Sequence, residues 1–162
     1  MSLSFVEGLA LARELGARDH HLAVLVTLRP DGQPSTSVVN AGVLAHPVSG
    51  RDVVAFVARG ATAKLANLRT NPRVSLVFRA GWEWVAVHGR AELAGPDDPL
   101  PGLGHDDDLR TLLRDIYTSA GGHHHDLTVY DEVMAAERRT AVLVTPTRFT
   151  TNPPGTEHEE HP

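Results

Sequence analysis

Hydrophobic positions along the chain fall mostly into runs of roughly four to eight residues, broken by Gly, Pro, Asn and Asp. This is the pattern of short strands joined by tight turns. Such runs occupy His21 to Leu28, Val53 to Val57, Val74 to Phe78, Glu83 to Leu93 and Thr140 to Thr145, with a short one from Arg148 to Thr151 after Pro146. Gln33 to Leu44 alternates, with Ser35, Ser37 and Val39 on one side and Thr36, Val38 and Asn40 on the other. Arg29-Pro30-Asp31-Gly32 between the first two runs predicts a hairpin, because Pro fixes φ and Asp-Gly tolerates left-handed positions. Pro47 to Arg51 predicts a second turn.

Three segments carry helical signals instead, besides the short helix considered below. Ser4 and Glu7 have the spacing of a capping box, and Leu9, Ala12 and Leu15 share a face that ends at Gly16. Asp106, Asp107 and Asp108 open a helix through Tyr117, since acids favour a helix start, and Gly121-Gly122 closes it. Leu127 to Arg138 forms another. Gly95 to Gly104 is rich in Pro and Gly and ends the compact strand-rich unit. The first strand pair leaves no room for a crossover helix, so the sheet is antiparallel. The expected fold is mainly β (α+β), a small closed antiparallel barrel with peripheral helices. One domain covers residues 1–151, followed by a polar, disordered tail over 152–162.

Residues 56 to 72 hold the most informative chemistry. An apolar strand runs into Arg59-Gly60-Ala61, a helix starts after Thr62 as N-cap, and Lys64 lies in its first turn. The helix stops at Asn71-Pro72. Unpaired N–H groups and the positive helix end favour an anion there, and Arg59 can add a guanidinium fork. The same residues equally describe a surface helix carrying a solvated lysine. Trp82 and Trp84, two apart, are expected on one strand face, as a ring wall, a dimer contact, or a core and rim pair. His123-His124-His125-Asp126 and His105 beside three Asp lack ligand spacing, so no metal is expected. No GxSxG, Walker A or GxGxxG sequence is present, and no residue is marked as catalytic.

At 162 residues the chain suffices for one domain with a real core. A net charge of −5 argues against general nucleic-acid binding. The absence of Cys removes disulfides and thiol chemistry. No apolar run reaches the roughly 20 residues of a membrane span, and no signal peptide is evident, so a cytoplasmic location is expected.

In order, the Asp31-Gly32 hairpin, Ser37-Val38-Val39-Asn40, the Thr62/Lys64 turn, Asn67-Leu68 with Asn71-Pro72, and Val87-His88-Gly89-Arg90-Ala91 resemble the pyridoxamine 5′-phosphate oxidase-like split barrels. Gly121-Gly122-His123, Tyr130 to Met134 and Glu137-Arg138-Arg139 are similar to the branch that binds the deazaflavin coenzyme F420. The resemblance implies an antiparallel split β-barrel, a homodimer with cofactor at the subunit interface, and hydride transfer from reduced F420 to an unsaturated small-molecule acceptor. Thr62 and Lys64 match the hydroxyl and lysine of the phosphate-binding turn. Ala63 stands where many FMN-binding members carry a basic residue, which directs the reading to F420. Arg59 joins the phosphate and tail, with Arg69 and Arg73 as nearby basic groups. Ser37, Val39, Asn40, Val57 and Ala58 are expected along the ring. An FMN-binding oxidase-like protein and a non-catalytic cofactor carrier are the alternatives.

Overall fold

The structure, a computed structural model, describes residues 1–152. The predicted tail lies outside the described residues apart from Asn152. In chain order the elements are β1 (Ser2–Leu3), α1 (Phe5–Arg18), β2 (Leu22–Leu28), β3 (Pro34–Ala45), β4 (Asp52–Ala58), α2 (Ala63–Thr70), β5 (Arg73–Ala80), β6 (Glu83–Ala94), α3 (Asp106–Ser119), α4 (Leu127–Ala136) and β7 (Thr140–Thr151). The sheet order is β1-β7-β4-β3-β2-β5-β6, and β6 also pairs with β7. Strands β2 to β7 therefore close into a six-stranded barrel with every pairing antiparallel. This is the fold the strand pattern predicted.

The β2–β3 hairpin closes through Arg29 N–H donating to the Gln33 carbonyl, at 2.9 Å, with Gly32 at φ +84°. Asp31 adds an Asx contact, its Oδ1 accepting from Gln33 N at 3.0 Å. Only Gly32 of that pair is left-handed. The capping box also forms: Glu7 N donates to Ser4 Oγ and Ser4 N to Glu7 Oε2.

Several features differ from the sequence pattern. Helix α1 runs past Gly16 to Arg18, because Gly16 packs beneath Phe78 as an interior helical residue. The chain then reverses through His20 and His21, both left-handed at φ 54° and 55°. Trp82 is not on a strand with Trp84. It occupies the β5–β6 turn and is 72% exposed. Finally, β7 does not break at Pro146. The register shifts between His88 and Gly89, and Thr147 is the extra residue of a bulge. Proline lacks a ladder donor and is tolerated at such a bulge. A Cβ on Gly89 would come within 2.2 Å of the Thr145 carbonyl oxygen, so the strands can approach there only with glycine.

Both faces of the barrel wall are used. Inside, Leu25, Phe56, Leu76, Val85, Val142 and Phe149 pack with Leu9 and Leu15 of α1 and Leu65 and Leu68 of α2. Outside, Val53 and Ala55 of β4 and Ala141 and Leu143 of β7 pack under Leu112, Leu113 and Ile116 of α3. Strand β4 is thus buried on both sides, which explains its unbroken apolar run. At about 25 cal/mol per Å² of buried apolar area, each buried Val, Leu, Ile or Phe side chain contributes roughly 1.5–3 kcal/mol.

Candidate functional site

Helix α2 is held by what it buries. Leu65 and Leu68 enter the core, and buried Asn67 donates its Nδ2 to Thr27 Oγ1 of β2 at 3.1 Å. At its far end Asn71 Oδ1 accepts from Arg73 N at 3.1 Å, turning the chain through Pro72 into β5. These contacts fix the other end of the helix, where Thr62 is N-cap. The Thr62 side chain does not cap. Its hydroxyl donates back to the Arg59 carbonyl at 2.9 Å, leaving the first-turn N–H groups without a side-chain acceptor.

The turn into α2 is locked against the end of α4. Gly60 N donates to the Glu137 carbonyl at 3.1 Å. A Cβ on Gly60 would lie 2.9 Å from both Arg138 Cβ and the Arg138 carbonyl oxygen. Ala61 and Arg138 both adopt left-handed backbone, at φ 61° and 49°. Arg138 thereby ends α4 at Ala136, two residues before the expected helix end.

Between β3, β4, α2 and the α3–α4 pair lies a cavity of about 410 Å³, within the size range of small-molecule sites. Of the nine residues proposed from the sequence, it gathers Val39, Asn40, Val57, Ala58, Arg59, Thr62 and Lys64. Ser37 and Ala63 are not in its wall. Ser37 pairs with Leu25 on the inward side of β3, and Ala63 is exposed at the helix start. Asn40 is oriented by its own bond, Nδ2 donating to the His20 carbonyl at 2.9 Å.

The opposite wall comes from residues the sequence had not marked as cavity-forming: Ile116, Tyr117, Tyr130, Met134 and Arg139. The tyrosine rings stack at 4.8 Å between centroids, tilted by 37°. Tyr117 Oη donates to the His123 carbonyl and Tyr130 Oη to the Leu113 carbonyl, at 3.0 and 3.2 Å. Burial, with Tyr117 beside it, pushes the Tyr130 hydroxyl up to about 12, so it stays protonated at any ordinary pH.

Three cations border the cavity, and they differ in their partners. Arg139 places Nε and Nη2 at 2.7 and 2.6 Å from Glu137 Oε2. Arg59 stands 3.9 Å from Glu137 Oε1. Half-buried Lys64 has no ion pair among the described residues. Arg69, expected nearby, is instead clamped by Asp98 through Nε and Nη2 at 2.9 and 2.7 Å. Arg73 lines a different pocket. Among the described residues no group of three or more His, Asp or Glu side chains is placed to hold a metal. Asp126 of the histidine run caps α4 by accepting from Thr128 N and Val129 N.

The closed six-stranded antiparallel barrel with α2 inserted between β4 and β5 is a split barrel. A sequence model for pyridoxamine 5′-phosphate oxidase matches residues 12–151, and the chain belongs to that family. No curated protein matches the sequence. Among solved structures, it is similar to a conserved hypothetical protein from Mycobacterium tuberculosis at 19% identity and TM-score 0.62, covering 92% of this chain and 84% of that one. A pyridoxamine 5′-phosphate oxidase-related, FMN-binding protein from Nostoc punctiforme aligns at 14% identity and TM-score 0.59, over 93% and 86%. A structure described as an F420 reductase aligns at 18% identity and TM-score 0.55, over 82% and 91%. At these identities the structures attest the fold.

Proposed function

We propose that the chain is an F420-dependent oxidoreductase that passes a hydride between reduced deazaflavin and an unsaturated organic acceptor. The observation that carries this reading is the Lys64 ammonium at the start of α2, without an ion-pair partner among the described residues and beside a cavity with an apolar strand wall. An anionic group suits Lys64 and the uncapped N–H groups of the first turn. A flat ring suits Val39, Val57 and Ala58, with Asn40 held in place by the His20 carbonyl. Arg59 and Arg139, which share one carboxylate, give further positive charge for an extended anionic tail. Such a tail favours F420 over FMN, as does the lack of a basic side chain at Ala63.

When bound, the deazaflavin would supply the hydride chemistry; the protein supplies binding and orientation. Both cavity tyrosines already donate their hydroxyl protons to backbone carbonyls. Neither is assigned as a proton donor, and no side chain is named catalytic.

The active species is proposed to be a homodimer. Val24 and Val38 are directly opposed on the outer face of β2 and β3, 39% and 62% exposed, and Val77 of β5 adjoins Val24. A monomer leaves this stripe in water. Paired titrations of the apo-protein with F420 and FMN test the assignment, followed by turnover of reduced F420 with a panel of enones. Tighter F420 binding with turnover supports it. Tighter FMN binding transfers the chain to an oxidase-like reading, and F420 binding without turnover on any acceptor identifies a carrier.

A further inference from the structure

The Lys64 cavity, at about 410 Å³, is sized for one small-molecule ligand. A cofactor seated there leaves the acceptor to be received beside it. A pocket of about 460 Å³ adjoins the cavity and shares Asn40, Tyr117 and Ala120 with it. None of Arg59, Lys64 or Arg139 lines this pocket, so it meets the cavity on the Asn40 side rather than on the anion side. Its other walls come from the end of α1, the α1–β2 turn and the end of α3, and Asn40 alone comes from the sheet. None of Val24, Val38 or Val77, the stripe proposed for the dimer contact, lines it.

The α1–β2 turn is strained. His20 and His21 are both left-handed, at φ 54° and 55°, where glycine is the unstrained choice. Backbone strain of this kind gathers at functional sites. The turn is fixed at several points. His21 N donates to the Gly16 carbonyl at 2.7 Å, and the His21 carbonyl accepts from Ala41 N at 2.9 Å. The His20 carbonyl accepts from Asn40 Nδ2 at 2.9 Å. The half-buried His21 ring packs against two glycines: a Cβ on Gly121 would come within 2.6 Å of its Cδ2, and one on Gly16 within 3.7 Å of its Nδ1. The fold thus accepts strain and close packing to place two imidazoles at this pocket.

The polar side chains of the pocket differ in what they already hold. Arg18 is paired with Glu83 at 3.0 Å and with Glu14 at 3.5 Å. Tyr117 Oη donates to the His123 carbonyl. The His20 and His21 side chains have no hydrogen bond or ion pair among the described residues. A neutral imidazole carries one N–H donor. With its one arginine already paired, the pocket suits an uncharged oxygen better than a carboxylate.

We propose that this pocket receives the hydride acceptor, and that the acceptor is an uncharged α,β-unsaturated ketone or ester whose carbonyl oxygen accepts from the His20 and His21 imidazoles. The proposal rests on the cofactor reading of the Lys64 cavity. Two donors on one oxygen fix the orientation of the conjugated group beside the ring wall.

The test is calorimetric titration of the full chain with benzylideneacetone, an uncharged enone, and with cinnamate, its acid counterpart. Both the apo-protein and the protein saturated with oxidised F420 are titrated. Saturable binding of the ketone is expected, tighter than that of cinnamate, and in the loaded protein it is expected to change the F420 fluorescence. His20→Asn tolerates left-handed backbone and keeps the carbonyl that holds Asn40. It is expected to melt no lower than the parent and to keep the Kd for F420. Its ketone affinity is expected to fall about three- to tenfold, the worth of one neutral hydrogen bond. His21→Asn is expected to lose a similar factor, and its melting temperature reads any lost packing against Gly16 and Gly121. No saturable ketone binding, tighter binding of cinnamate, ketone binding without a change in fluorescence, or unchanged ketone affinity in both variants overturns the proposal. Ketone binding through these histidines in a protein that does not bind F420 keeps the carbonyl pocket and overturns the cofactor reading instead.

Discussion

Removing the Lys64 ammonium isolates the proposed phosphate contact. The side chain is half-buried and has no ion pair among the described residues, so Lys64→Ala breaks nothing in the free protein. A cation in the first turn of α2 is also mildly opposed by the helix dipole. The variant is therefore expected to unfold within about 0.5 kcal/mol of the parent, as surface substitutions do. Binding should change far more. A charge-assisted bond to phosphate is worth on the order of 1.5–3 kcal/mol, and each 1.4 kcal/mol is about a factor of ten. The Kd for F420 should rise roughly tenfold to a hundredfold. Fluorescence titration at low and high ionic strength reads both parts, because the lost contact is screened by salt in the parent and absent in the variant. Lys64→Arg should recover part of the affinity. Unchanged affinity in Lys64→Ala, or a fall in melting temperature that accounts for the lost binding, refutes the assignment.

Four further outcomes follow from particular contacts. Asn67→Ala leaves the buried Thr27 hydroxyl without its donor and should cost about 1–3 kcal/mol by chemical denaturation. Gly60→Ala pushes a methyl against Arg138, at 2.9 Å from its Cβ and its carbonyl oxygen. About 1–3 kcal/mol of destabilisation should come with weaker cofactor binding, since the turn and α4 border the same cavity. The Arg114 guanidinium bonded to Asp131 holds that carboxyl below the usual carboxylate range. The native state then binds fewer protons than the unfolded one, so this contribution is complete above the ordinary Asp value and lost as pH falls through the lowered one. Asp131→Asn should flatten that acid limb in denaturation curves taken across pH. Light scattering should give about twice the monomer mass of 17.5 kDa; a monodisperse monomer that still binds cofactor contradicts the homodimer.

The β4–α2 part of the cavity was legible in sequence because it is local. Residues 56 to 72 contain strand, turn, cap and lysine within one short stretch, and each carries its own signal. Asn67 shows why the Asn67-Leu68 pair belongs to that stretch: it ties the helix to Thr27 in the barrel interior. Other features depend on partners distant along the chain. Thr62 has the composition of a cap, yet its hydroxyl goes to Arg59, a choice that only the turn geometry makes. The pairing of Arg73 with Arg90 exists only once the β5–β6 register is set, and the bulge that carries β7 past Pro146 needs Gly89 on the neighbouring strand.

The helical half of the cavity was hidden for a related reason. Tyr117, Tyr130 and Met134 read as the ordinary apolar positions of two helices, and which surface they face is decided by the way α3 and α4 dock. One close contact couples that docking to the turn that leads into α2. Gly60 lies against the Arg138 backbone, and its N–H is bonded to the Glu137 carbonyl. Glu137 also holds Arg139 by its carboxylate and stands near Arg59. A single residue at the end of α4 thus joins the two walls by its main chain and sets their charge by its side chain. Any ligand that pulls Arg59 or Arg139 away from Glu137 acts on the same junction that positions the start of α2. Apolar wall, cation set and helix start are therefore parts of one mechanical unit.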